Sequence, residues 1–266
     1  MNCLNILEKN CVLIGSFRKH YSHIVDLMGL IEDKCNILSP LRSRVVDAMD
    51  DFVILDSDIL NARCEDELQI SFIESKVLEN IRKASFVYIH NPGGYIGIST
   101  AFEIGFAVKE HKIIFSSHSP RDKFFKPYIK RIISPDDLRH NGFNILFETQ
   151  ENVMKETPSM LRSLEACNKE YFYVHNPEGY IDLKSAFNIG YAIGAEKEIH
   201  TSFRPNDIMI SKFISDIHLD KGAMDTLRGL YGEQYNRGLI ESTCFNSNHN
   251  ASVANRITPQ PQIKIG

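Results

Sequence analysis

Short apolar runs alternate along this chain with longer stretches in which apolar residues recur every three or four positions. Cys11 to Ile14 is the first run and predicts a strand, closed by Gly15-Ser16-Phe17-Arg18 and followed by a helix from Ser22 through Lys34. Asn36 to Ser39 predicts a second strand, stopped by Pro40, and a longer segment then leads to Phe52-Val53-Ile54-Leu55, which ends at Asp56 and Asp58. Leu68, Phe72, Ile73, Val77, Leu78 and Ile81 mark a helix within Glu65 to Ala84. Phe86 to Ile89 is apolar throughout, as in a strand buried on both faces, and Lys112 to Ser116 is the next strand. Strands and helices that alternate with short loops predict an α/β fold: a doubly wound parallel sheet. Residues 117–142 are polar, proline-punctuated and locally basic, and read as a solvated connector or a flap carrying cations.

The pattern breaks most abruptly after Ile89. Asn91, Pro92, Gly93 and Gly94 form turns, and Gly93, Gly94 and Gly97 allow positive φ and close backbone approach to a ligand. A helix follows, with Ser99 or Thr100 as its cap and Ala101, Phe102, Ile104, Gly105, Ala107 and Val108 at helical spacing. Its first turns carry one acid, Glu103. A carboxylate there suits the helix dipole without any further role. It also lies just beyond a strand's carboxyl end, where ligands of open α/β sheets bind. Gly15 and Ser16 would form a second wall, with Arg18 supplying charge, unless they are only a connecting turn. Asp56 or Asp58 could bind a ribose hydroxyl or assist proton transfer, although strand-end aspartates commonly start turns or cap helices.

The central stretch occurs twice. Tyr171 to Ile193 repeats it at an offset of 85, with Tyr88, His90, Asn91, Pro92, Gly94, Tyr95, Ile96, Ala101, Phe102, Ile104, Gly105 and Ala107 recurring identically. The differences fall where chemistry would be: Glu103 becomes Asn188, Gly97 becomes Asp182, Gly93 becomes Glu178 and Ser99 becomes Lys184. An amide cannot act as nucleophile or anion, so the second copy is a degenerate βα unit. His90 and His175 belong to both copies and are therefore assigned to structure. The expected division is residues 1–142 and residues 143–266, the latter holding the degenerate repeat, a helical region through Ile240 and a loose tail from Asn246 to Gly266.

A net charge of −4 gives no basic field for a phosphate backbone, so long nucleic acid is not an expected partner. The six cysteines show no CxxC pair, which suggests neither a zinc site nor a disulfide framework and suits a reducing cytoplasm. No run approaches the ~20 apolar residues needed to span a bilayer, so no membrane association is expected. A homo-oligomer is allowed.

Gly94 to Ala107, GYIGISTAFEIGFA, resembles the active-site segment of the nucleoside 2-deoxyribosyltransferase and nucleotide N-glycosidase superfamily. The resemblance implies a flavodoxin-like fold and an enzyme that cleaves or transfers at the N-glycosidic bond of a small nucleoside or nucleotide, with no cofactor or metal. It puts the catalytic glutamate at Glu103 and the loop over the sugar or 5′-phosphate at Gly94 to Ser99. Gly15, Ser16, Arg18, Asp56, Gly94, Tyr95, Gly97 and Ser99 are the implied substrate-binding residues. One feature departs from the family, whose preceding helix carries an aspartate before a leucine; here the pair is Val77-Leu78. Glu74 or the Asp56 region substitutes for it, or the chemistry is altered. The departures leave two other readings, a nucleotide-binding sensor without turnover and an NAD glycohydrolase.

Overall fold

The computed structural model describes residues 9–32, 35–41, 43–48, 53–62, 69–141 and 171–217. Five strands, β1 (Asn10–Gly15), β2 (Asn36–Ser39), β5 (Phe86–His90), β6 (Ile113–Ser116) and β7 (Arg131–Ile132), form one parallel sheet in the order β2-β1-β5-β6-β7. The order reverses at β1 and β5, whose last residues, Gly15 and His90, are paired. Helix α1 (Phe17–Ile31) covers one face with Ile24, Leu27, Met28 and Ile31 packed on Leu13, Phe86 and Tyr88. Helices α3 (Ile70–Lys83) and α4 (Ile98–Lys109) cover the other, on Val12, Ile14, Val87 and Ile89. Residues that alternate along β1 and β5 thus feed two cores, which explains runs without a polar face.

Two elements differ from the sequence expectation upstream of the sheet centre. An antiparallel hairpin pairs β3 (Val45–Ala48) with β4 (Val53–Leu55), and α2 (Asp56–Asn61) follows directly. Residues 117–141 are not a plain connector: a 3₁₀ turn over Lys123–Tyr128 buries Phe125 and Tyr128, β7 extends the sheet, and α5 (Pro135–Asn141) adds Leu138 to the α1 core.

The repeat folds as a second β-turn-α unit. Strand β8 (Tyr171–Val174) leads into a 3₁₀ turn and α6 (Leu183–Gly194), and β8 pairs in parallel with β9 (Glu198–Thr201), which pairs with β10 (Asp216–Ile217). Beyond Phe203, where a helix is expected, the described residues hold only the one-turn α7 (Ile208–Ser211) and β10. The rest of the expected helical region and the tail lie outside the described residues.

The two units meet through α4 and α6. A Cβ on Gly105 would stand 1.9 Å from the carbonyl oxygen of Phe187, and one on Gly190 would stand 2.0 Å from that of Phe102. These two contacts exchange under the offset of 85, so α4 and α6 cross backbone to backbone about a local pseudo-twofold. Phe102 and Phe187 belong to one continuous apolar cluster shared by both units.

Candidate functional site

The Asn-Pro-x-Gly turn common to both copies is a structural clasp. Asn91 Nδ2 donates to the carbonyl of His118 at 3.1 Å, and Asn176 Nδ2 donates to that of Phe203 at 2.8 Å. Position 93 is left-handed in the first copy (Gly93, φ 63°) and position 178 in the second (Glu178, φ 55°). Gly94, also left-handed, is required by packing: a Cβ there would meet the carbonyl oxygen of Ser119 at 2.3 Å. Gly94 therefore holds the loop closed and is not part of the cavity wall.

A cavity of about 460 Å³ opens at the carboxyl ends of β1 and β2, between α3 and α4. That is the position where doubly wound sheets bind ligands. Gly15, Ser16, Tyr95, Gly97, Ser99 and Glu103 all line it, so two loops far apart in sequence converge. Asp56 does not line it. Its carboxylate faces Arg44 at 3.4 Å, whereas Asp58, two residues on, lines the cavity and accepts from the Leu55 N–H at 2.8 Å. Arg18 lies in the first turn of α1, and its side chain is outside the described residues.

Two helix N-termini reach this cavity without a side-chain cap: α1 at Ser16 and α4 at Gly97. Their first N–H groups are thus open to a ligand's acceptor atoms. The second copy differs here in one informative way. Asp182, which stands in place of Gly97, accepts from the Ser185 N–H at 2.6 Å and caps α6 with its own carboxylate. Gly97 (φ −92°, ψ 174°) and Asp182 (φ −86°, ψ 174°) have the same backbone, so Gly97→Asp can adopt the cap without strain. We expect that variant to gain about 1 kcal/mol of stability from capping, and to lose ligand affinity by at least about tenfold as the carboxylate fills the anion position. Thermal unfolding and calorimetric titration check the two halves; undiminished affinity would show that α4's N-terminus does not face the ligand.

The buried wall is acidic. Glu103 is 5% exposed and Glu74, on α3, is 2% exposed, and the Oε1 atom of Glu74 has no hydrogen-bond partner among the described residues. Burial raises both carboxyls: Glu74 to about 8, with the charge of Asp207 adding to it, and Glu103 well above the carboxylate range, with the charge of Glu74 adding to it. At neutral pH the pair therefore holds at least one proton. Val77 also lines the cavity, so the second carboxyl beside Glu103 comes from Glu74, one turn earlier on the same helix.

Asp207 was not legible as a site residue. It belongs to the degenerate unit, caps α7 by accepting from the Ile210 N–H at 2.8 Å, and lines the cavity of the first unit. Its counterpart at the repeat offset is Asp122, which accepts from the Phe124 N–H, two residues on instead of three. The offset alone relates the two aspartates; only the α4–α6 crossing shows that one reaches the other unit's cavity.

Comparison of the chain with family models, with curated proteins and with solved structures found no match. Among the described residues no helix is long and apolar enough to cross a membrane.

Proposed function

We propose that the protein is an enzyme of the N-glycosidic bond, cleaving or transferring the sugar of a nucleoside or nucleotide, on a flavodoxin-like fold. The strand order supports that fold: renumbered within the sheet it runs 2-1-3-4-5. One observation carries the reaction: Glu103, the position implied by the resemblance, is buried in the wall of a cavity that two uncapped helix N-termini also reach. A carboxylate in a dry wall is suited to an oxocarbenium-like sugar, as nucleophile or as electrostatic partner, because the transition state gains positive charge there. The open N–H groups at Gly15–Ser16 and Gly97–Ser99 suit sugar or phosphate oxygens. Incubation with a panel of nucleosides and nucleotides, with free base read by chromatography, tests the proposal. Absence of base release from every member would refute it.

Glu74 is a positioning residue in this scheme. Its charge, where it is ionised, opposes the ionisation of Glu103. Removing its charge by Glu74→Gln takes away the like-charge contribution to Glu103, so the acid limb of the pH–rate profile is expected to move to lower pH. Stability provides a second readout. A buried acid with a raised pKa binds its proton more tightly folded than unfolded, so its contribution is complete below about 4.5 and is lost as pH rises toward about 8. Glu74→Gln should therefore be no less stable than the unaltered protein at pH 5 and more stable by roughly 1–3 kcal/mol at pH 9, measured by denaturant unfolding. Equal stability at both pH values would show that Glu74 is not buried as a neutral acid.

A further inference from the structure

Among the described residues, the carboxyl and ammonium side chains lining the cavity are Asp58 from α2, Glu74 and Lys76 from α3, Glu103 from α4 and Asp207 from the second unit. Four acids face one ammonium group. The acids Glu74 and Glu103 line the cavity while nearly inaccessible to solvent, and Glu74 Oε1, itself buried, has no hydrogen-bond partner among the described residues. Such a group is normally hydrogen-bonded or paired, and an orphan oxygen in a cavity wall marks a missing partner. Among the described residues no group of three or more His, Cys, Asp or Glu is placed to hold a metal ion, so the missing partner is sought in the ligand. Apolar walls from Leu38, Leu55, Ile73, Val77 and Ile98 suit a flat ring rather than a hydrated ion.

Resting on the reading above, we propose that the cavity takes an N-glycoside whose base carries a fixed positive charge, of the pyridinium or N-alkylpurinium class. The chemistry agrees with the lining. When the C–N bond of such a nucleoside breaks, the bonding pair moves to the ring nitrogen and cancels its charge, so the base leaves neutral and needs no proton. Water, or Glu103 and then water, supplies the oxygen that replaces nitrogen on the anomeric carbon, and hydrolysis releases one proton to solvent. A neutral base, in contrast, leaves as an anion unless it takes up a proton from the Glu74–Glu103 pair, and that transfer would add negative charge to a buried wall that already disfavours it. The ring cation also provides the counter-charge that lets Glu103 give up its proton in a buried wall. Binding is accordingly coupled to proton release, and affinity rises with pH by about tenfold per unit for each proton released.

The test compares two probes of one shape, nicotinamide riboside, a pyridinium, and its 1,4-dihydro form, which is neutral. Calorimetric titration of the full chain at pH 6.0 and 8.5 is expected to show the pyridinium binding at least about tenfold tighter than the dihydro form at pH 8.5, with the margin shrinking at pH 6.0. The double variant Glu74→Gln with Asp207→Asn, checked for folding by circular dichroism, should lose most of the margin. Equal binding of the two probes, or tighter binding of the neutral one, overturns the proposal. So does a margin unchanged in the double variant. The free base from each probe and from inosine and thymidine is read in parallel. Base released from inosine or thymidine but not from the pyridinium leaves N-glycosidic cleavage standing and overturns the charge preference. Selective pyridinium binding with no base released from any compound supports the charge preference and refutes cleavage.

Discussion

Glu103→Gln is expected to abolish base release while leaving the binding of a nucleoside with a neutral base nearly intact. The substitution keeps size and hydrogen-bonding reach and removes the capacity for negative charge, so the loss falls on the transition state, where positive charge develops at the sugar. Removing a preorganised electrostatic partner costs on the order of 10²–10³ in rate, about 3–4 kcal/mol, and removing a nucleophile costs more. Contacts through the glycine loop and the two helix N-termini remain, which keeps the dissociation constant within roughly tenfold, about 1.4 kcal/mol. Folding should not suffer, because burial favours the neutral form of Glu103 and glutamine resembles a neutral carboxyl in shape. Single-turnover base release and calorimetric titration on both proteins make the measurement. Unchanged release would remove Glu103 from the mechanism, whereas binding without release in the unaltered protein as well would favour a sensor.

The parts legible in the sequence are those specified by local chemistry. Apolar runs at Cys11 to Ile14, Phe86 to Ile89 and Lys112 to Ser116 marked β1, β5 and β6 because each is buried on both faces. The short β3 and the two-residue β7 are held by pairing with a neighbour and carry too few residues to show a period. Phe125 and Tyr128 were hidden among lysines, although the fold buries both. The site divides in the same way. Gly15, Ser16, Gly97 and Glu103 converge because β1 and β5, the strands that lead to them, are paired, which follows from sheet topology. Gly94 shows the limit of a glycine signal: its φ of 77° and its contact with Ser119 serve packing, and the same signal suits a ligand contact. Asp207 depends on a helix crossing between two units, and nothing local to its own segment reports that.

Gly105→Ala is expected to destabilise the fold strongly, as Gly190→Ala would, and Gly29→Ala to do the reverse. Gly105 and Gly29 are helical glycines, where alanine is ordinarily favoured by roughly 0.5–1 kcal/mol through helix propensity and a less flexible unfolded chain. Around Gly29 a Cβ meets nothing within 4 Å among the described residues, so that gain is realised in full. At Gly105 the new Cβ would lie 1.9 Å from a backbone carbonyl of α6, and no side-chain rotation relieves a backbone contact. The helices must separate by about 1 Å or more, opening the packing of Phe102, Phe106 and Phe187 in the shared cluster. Overpacking typically costs 1–3 kcal/mol, and a backbone clash at the centre of an interface lies at or above the upper end. A loss of about 3 kcal/mol lowers the melting temperature of a chain this size by roughly 6–12 °C. The consequence for function follows from Asp207, which reaches the cavity only while the two units stay in contact. Calorimetric unfolding of the two alanine variants should give shifts of opposite sign. A Gly105→Ala protein as stable as the parent would show that α4 and α6 do not cross backbone to backbone, and with that contact would go the second unit's place in the site.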